Sequence, residues 1–166
     1  SKKRWGVFRK IFSRKGDANT TNEWIIPVVY ACMSMSKSKT GALIVIEQNV
    51  PLENYERTGD RIDAKINTRL IENIFFKNSP LHDGALIISN DKLSAAGCIM
   101  PVSHDTSLPR YLGLRHRAAL GIAQATAAIA VIVSEETGNI SLAYKGQLYA
   151  KLNSTDLEKR LAQITV

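Results

Sequence analysis

The residues with the plainest chemistry are His82, Asp83 and Gly84, set immediately before the apolar run Ala85-Leu86-Ile87-Ile88. A carboxylate at the mouth of a buried strand can ligate a divalent cation or take a proton from a hydroxyl. The neighbouring histidine can ligate or orient, and the glycine lets a bulky ligand reach the backbone. Taken alone, Asp-Gly is among the commonest turn dipeptides, and a turn is the simpler reading. Metal-dependent phosphohydrolases also use His-Asp pairs but need several more histidines, and only His104 and His116 remain.

Arg115-His116-Arg117 supplies the opposite charge at the start of an Ala-rich helical segment. Unpaired N–H groups at a helix start attract an anion, and two arginine forks suit phosphate oxygens. Without an anion, cations at that end oppose the helix dipole, so a bound anion is a better explanation than a solvated charge cluster. Ser134-Glu135-Glu136-Thr137-Gly138 follows a buried strand and reads equally well as site residues or as a polar turn. An acid in one place and arginines at a helix start in another suggest a polyphosphate ligand. The chain has no Gly-x-x-x-x-Gly-Lys-Ser/Thr loop, no Gly-x-Gly-x-x-Gly, no zinc spacing and no evident serine or cysteine nucleophile with its base.

Several elements must position these groups. A first helix is expected over 20–39, capped by Thr21 or Asn22, with Pro27 in its first turn. Residues 41–47 read as a central strand, because their apolar run is almost unbroken. Residues 49–66 are polar, contain Pro51 and Gly59, and read as a long loop. Asn67 caps a short helix ending at Phe75. The strand after Asp83 turns at Asn90-Asp91 and returns over 92–100 as a hairpin. A loop over 101–112 leads to a helix over 115–127, then a buried strand over 129–133. A second hairpin spans 139–144 and 147–152 around Lys145-Gly146. Thr155 to Glu158 forms a capping-box pattern for a last helix. The sum is one α/β (α+β) domain, with a mixed sheet of about six or seven strands flanked by helices.

The net charge of +7 is unevenly placed. Residues 1–15 hold seven Lys/Arg and no acid, while the rest holds fifteen groups of each sign. The folded part is therefore no basic nucleic-acid platform. In the tail, Trp5, Phe8, Ile11 and Phe12 fall near helical spacing among basic residues, which suits an anionic membrane surface as well as a disordered basic arm. Residues 1–19 read as this tail and its linker, and 20–166 as the folded domain. No apolar run is long enough to span a bilayer. Cys32 and Cys98 both lie in apolar segments, so buried free thiols and a cytosolic setting are expected.

Taken together, Thr40-Gly41-Ala42-Leu43-Ile44, Leu81-His82-Asp83-Gly84-Ala85, Leu112 to Ala119 and Val133 to Gly138 resemble the catalytic domain of the diadenylate cyclases, over about residues 22–161. The single-domain layout and basic tail look most like the membrane-anchored type, which implies a place on the cytoplasmic face of the membrane for the full-length protein. The resemblance implies condensation of two ATP into cyclic di-AMP with release of two pyrophosphates. It further implies a divalent metal, Mn²⁺ or Mg²⁺, on Asp83 with His82 as a further ligand, and Asp83 assisting the 3′-hydroxyl. Arg115, His116 and Arg117 would hold phosphates. Gly84 and Ala85 would let ribose and phosphates approach, Ser134 and Glu136 would line the pocket, and main-chain atoms near Met100 would meet the adenine edge. Two sites facing each other across a two-fold axis would be needed, hence a homodimer. The family commonly has threonine where this chain has Leu114, and in relatives an aromatic residue that can stack on adenine stands at the place of Ile99, so nucleotide affinity or selectivity is expected to differ. A non-catalytic sensor of ATP or cyclic di-AMP on the same fold is the competing expectation. A third is nucleic-acid binding through the tail.

Overall fold

The computed structural model describes residues 23–165. The tail and the expected caps Thr21 and Asn22 lie outside them. Helix α1 (Ile25–Ser38) begins without a side-chain cap, and Pro27 falls in its first turn, where a missing N–H costs no intrahelical bond. The helix ends at Lys39, which adopts a left-handed conformation. Strand β1 (Ala42–Ile46) follows, with every residue buried.

Residues 49–66 are not the expected loop. They contain a single-turn helix, α2 (Glu53–Glu56), and a strand, β2 (Asp60–Lys65). The sequence Asp60-Arg61-Ile62-Asp63-Ala64-Lys65 looks like a loop because β2 is an edge strand. Its charges face solvent, its pairing with the next strand but one is bulged between Arg61 and Ala64, and Asp63 has positive φ. Charges and bulges are how proteins protect such edges from pairing with other chains. Helix α3 (Thr68–Phe75) is capped by Asn67, whose side chain accepts the Leu70 N–H at 3.0 Å.

Strands β3 (Ala85–Ser89) and β4 (Lys92–Cys98) form the expected hairpin, with Asn90 and Asp91 both at positive φ as a two-residue turn needs. Strand β4 stops short of Met100, because the Ile99 N–H turns away to Thr58 Oγ1 at 2.7 Å. Helix α4 (Leu114–Ala125) precedes β5 (Ile129–Val133), β6 (Ile140–Tyr144), β7 (Gln147–Leu152) and helix α5 (Ser154–Ile164). The expected Thr155 capping box is replaced by Asn153, which accepts the Asp156 N–H at 2.8 Å and starts the helix earlier.

The seven strands make one mixed sheet in the order β2-β4-β3-β1-β5-β6-β7. Only β1 and β3 run parallel; every other pair is antiparallel. Alternate residues of β1 serve opposite faces. Ala42, Ile44 and Ile46 pack under α1, α3 and α5, while Leu43 and Val45 pack under α2 and α4. Burial on both faces explains the unbroken apolar run, each fully buried Leu or Ile contributing about 1.5–3 kcal/mol.

Candidate active site

The topology puts three chemically rich segments at one end of the central strands. Gly41 precedes β1, His82-Asp83-Gly84 precedes the parallel β3, and Ser134 follows the antiparallel β5, whose Val133 pairs with Ala42. The first turn of α4 arrives at the same end. At this end lies a cavity of 470 Å³ whose lining includes Asp83, Gly84, Met100, Leu114, Arg115, His116, Ser134 and Glu136, but not His82 or Gly41. Ala85 is buried in β3, next to this lining rather than on it.

Asp83 presents its carboxylate to solvent, its side chain 91% exposed. Gly84 has φ +83, and a Cβ there would lie 2.6 Å from the Cys98 carbonyl oxygen, so the hairpin can close over this corner only with glycine. His82 Nδ1 lies 2.8 Å from the Ser79 carbonyl oxygen. A carbonyl can only accept, so Nδ1 carries a proton, and in the neutral ring Nε2 keeps a lone pair. That Nε2 lies 3.8 Å from Asp83 Oδ1. A carboxylate oxygen and a ring nitrogen thus lie near each other, and a carbonyl holds the other ring nitrogen, as is usual where a histidine binds a metal. No group of three or more His, Cys, Asp or Glu suited to a metal occurs among the described residues. A cation here would complete its shell with ligand oxygens and water, as Mg²⁺ does with substrate phosphates.

Arg115 is the cationic counterpart. Its side chain is 23% exposed, its Nη1 lies 3.6 Å from Glu135 Oε2, and its buried Nε has no hydrogen-bond partner among the described residues. The guanidinium lies against Gly41, where a Cβ would come within 2.4 Å of Nη1. His116 is half-buried. Burial first, and then the Arg115 charge, hold its pKa below the usual histidine value.

Arg117 lies off the cavity lining. Its guanidinium reaches the Asp105 and Pro109 carbonyl oxygens, each at 3.5 Å, and so braces the 101–112 loop. Ser134 Oγ accepts the N–H groups of Glu136 and Thr137, both at 3.2 Å, leaving its own proton outside these bonds. The segment is thus a tight turn and a cavity wall at once. Cys98 reaches the cavity, but burial and then the charges of Glu56 and Asp60 push its thiol up to about 11, so no thiolate nucleophile forms there. Cys32 is pushed up to about 12 by burial. Both are free and buried, as expected.

Sequence reasoning gave no role to Gly41, Glu135 or Tyr111, which line or shape this cavity. Gly41 and Glu135 stood within motifs already singled out; the partner that each meets lies far along the chain. A second cavity of 590 Å³ lies at the other end of β1 and β3. Its acids are engaged in structure. Glu47 accepts the Leu52 N–H at 2.9 Å and the Ser89 hydroxyl at 3.1 Å, and Glu56 accepts the Ser94 hydroxyl.

Comparison with known proteins gives the family and the fold. A family model described as DAC, DisA bacterial checkpoint controller nucleotide-binding, matches residues 29–148. The chain is 39% identical over 154 residues to the cyclic di-AMP synthase CdaA of Bacillus subtilis, covering 92% of this chain and 56% of that protein. It is 43% identical over 127 residues to a diadenylate cyclase of Listeria monocytogenes, covering 76% of this chain and 46% of that one. The fold superposes on the crystal structure of a double mutant of DacA from Staphylococcus aureus with a TM-score of 0.84 and 40% identity, over 86% of this chain and 95% of that one. The chain spans about half the length of these two curated relatives.

Proposed function

The chain belongs to the DAC nucleotide-binding family, and from that premise we propose that it is a diadenylate cyclase domain, joining two ATP into cyclic di-AMP and releasing two pyrophosphates. One observation carries the reading: the Asp83 carboxylate and the Arg115 guanidinium, far apart in the chain, border the same cavity. The 3′-oxygen of one ATP attacks the α-phosphorus of the other, its proton leaves, and the bond to pyrophosphate breaks. Asp83 takes the hydroxyl proton. Arg115 offsets negative charge on the transferring phosphoryl and the departing pyrophosphate. His116, whose pKa is held low by burial and then by its arginine neighbour, is placed to donate a hydrogen bond to a phosphate. Ser134 and Glu136 hold the nucleotide from the β5 side, Gly84 leaves room for ribose and phosphate, and the main chain at Met100 meets the base edge. Arg117 acts through the loop it braces.

Asp83 and His82 Nε2 would hold a divalent cation, Mn²⁺ or Mg²⁺, which when bound lowers the pKa of the hydroxyl and offsets phosphate charge. A homodimer supplies the second, facing site. No described helix is long and apolar enough to cross a membrane. The basic aromatic segment 1–15 supports attachment to an anionic membrane surface, and thus a place on the cytoplasmic face in the full-length protein.

The test is incubation with ATP and Mn²⁺ or Mg²⁺, followed by chromatography for cyclic di-AMP. Product from the wild type and none from Asp83→Asn, with an unchanged circular dichroism spectrum, is expected. Full activity in Asp83→Asn would remove its assigned role. Tight ATP binding with no product under any metal would instead make the domain a nucleotide sensor.

A further inference from the structure

Of the exposed large hydrophobic residues in the described chain, the three most exposed are Tyr111 at 81%, Leu114 at 76% and Ile99 at 68%, and all three line the same cavity. Single exposed apolar side chains need no explanation, but three on one cleft mark a surface meant to be covered. Leu114 and Ile99 are aliphatic. Tyr111 is the only phenyl-type ring on the lining among the described residues.

We propose that Tyr111 is the platform on which the purine of the bound nucleotide stacks, with Ile99 and Leu114 giving the base aliphatic cover. This rests on the nucleotide reading of the cleft and adds to it the residue that recognises the base. An aromatic face binds any nucleobase by stacking, and does so best when the ring is held on a fixed backbone and left bare on one side. Here the backbone is held, and at 81% exposure the ring is bare. On one side of Tyr111, the Pro109 carbonyl oxygen accepts the Leu112 N–H at 3.2 Å and is reached by Arg117 Nη2 at 3.5 Å. On the other side Leu112 is buried and Gly113 caps α4, its carbonyl oxygen accepting the Arg117 N–H at 3.2 Å. The backbone is thus held from two directions while the ring meets solvent. Arg117 thereby becomes a positioning residue for base recognition, although its own side chain lies off the cleft.

Calorimetric titration of the intact chain with ATP and, separately, with inorganic triphosphate tests this. Tyr111→Ala should weaken ATP binding about tenfold, the size expected from loss of one base–aromatic stack. Tyr111→Phe should bind ATP as the wild type does, and Tyr111→Leu should stay close to Tyr111→Ala. Triphosphate, which has no base, should bind all four proteins alike. Equal ATP binding by Tyr111→Ala and wild type overturns the proposal. So does a matching loss of triphosphate binding, which would mean loop collapse, or full recovery in Tyr111→Leu, which would mean simple apolar cover, including cover by a second copy of the chain. Failure of the wild type to bind ATP would sink the nucleotide reading itself, a result distinct from these.

Discussion

Arg115 stands where a cation is unwelcome, in the first turn of a helix that has no acid there. Two features keep it in place: Glu135 at 3.6 Å and the bare backbone at Gly41. Gly41→Ala should therefore separate stability from activity. The new methyl would lie 2.4 Å from Nη1, the far end of a flexible side chain, so the guanidinium moves and the fold does not. We expect an unchanged melting temperature and a fall in kcat/KM of about 10- to 100-fold, the scale of a charge-assisted hydrogen bond. A variant with wild-type kinetics would show that the position of Arg115 is unimportant. His116 makes a prediction of opposite kind. Its folded pKa lies below the ordinary 6.5, so below that pH the unfolded chain takes up a proton that the folded chain refuses. Its contribution to stability is complete above pH 6.5, falls as pH drops towards the folded value, and then levels off. Urea midpoints at pH 7.5 and 5.5 should thus diverge more for wild type than for His116→Gln; equal divergence would refute the shift. The charges themselves were legible in the sequence, because Arg115-His116-Arg117 and His82-Asp83-Gly84 each carry an electrostatic or conformational oddity that only a ligand or a turn resolves. What Arg117 touches was not legible, since alternate residues in a helix's first turn point apart. One arginine faces the cleft, the other a loop.

The strands that position the site were easiest to read where both faces are buried. Residues 42–46, 85–88 and 129–133 are unbroken apolar runs, and the two hairpin turns announce themselves through Asn90-Asp91 and Lys145-Gly146. Strand β2 was harder to read: Ile62 and Ala64 do alternate with charges, but four of its six residues are charged and Asp63 takes a left-handed turn inside it, which looks like a loop and also keeps the edge from pairing with another chain. Helix starts are governed by one side chain, so they slip easily. The sequence pattern points to Thr155 as the start of α5, but Asn153 caps it, because its carboxamide oxygen accepts the Asp156 N–H. Asn153→Ala should cost about 1 kcal/mol in chemical denaturation. The proposed cyclase activity should be untouched at 25 °C, because α5 packs on the sheet face opposite α4, away from the cleft. A loss of activity without a loss of stability would mean that α5 communicates with the site.

The whole molecule poses a problem of number. Cyclic di-AMP has two equivalent phosphodiester links, and the described chain has one cavity bearing both the acid and the arginine. In the proposed reaction each ATP must offer a hydroxyl to the other and receive the reverse. Two copies related by a two-fold axis meet that demand with a single kind of site, whereas one copy would need a second, different site. The cleft is open and its rim apolar at Ile99 and Leu114, so a facing copy would also exclude water from the reacting groups. Turnover should therefore depend on encounter between protomers. Diluting the protein through the range in which light scattering or sedimentation reports dissociation should lower the specific activity, with the rate tending towards the square of the protein concentration. ATP binding per protomer should hold nearly constant across the same range, because the grip on one nucleotide is built within one chain. A protein shown to be monomeric that still makes cyclic di-AMP at full specific activity would overturn the facing-site scheme, while leaving the assignments of Asp83 and Arg115 to be judged by their own variants.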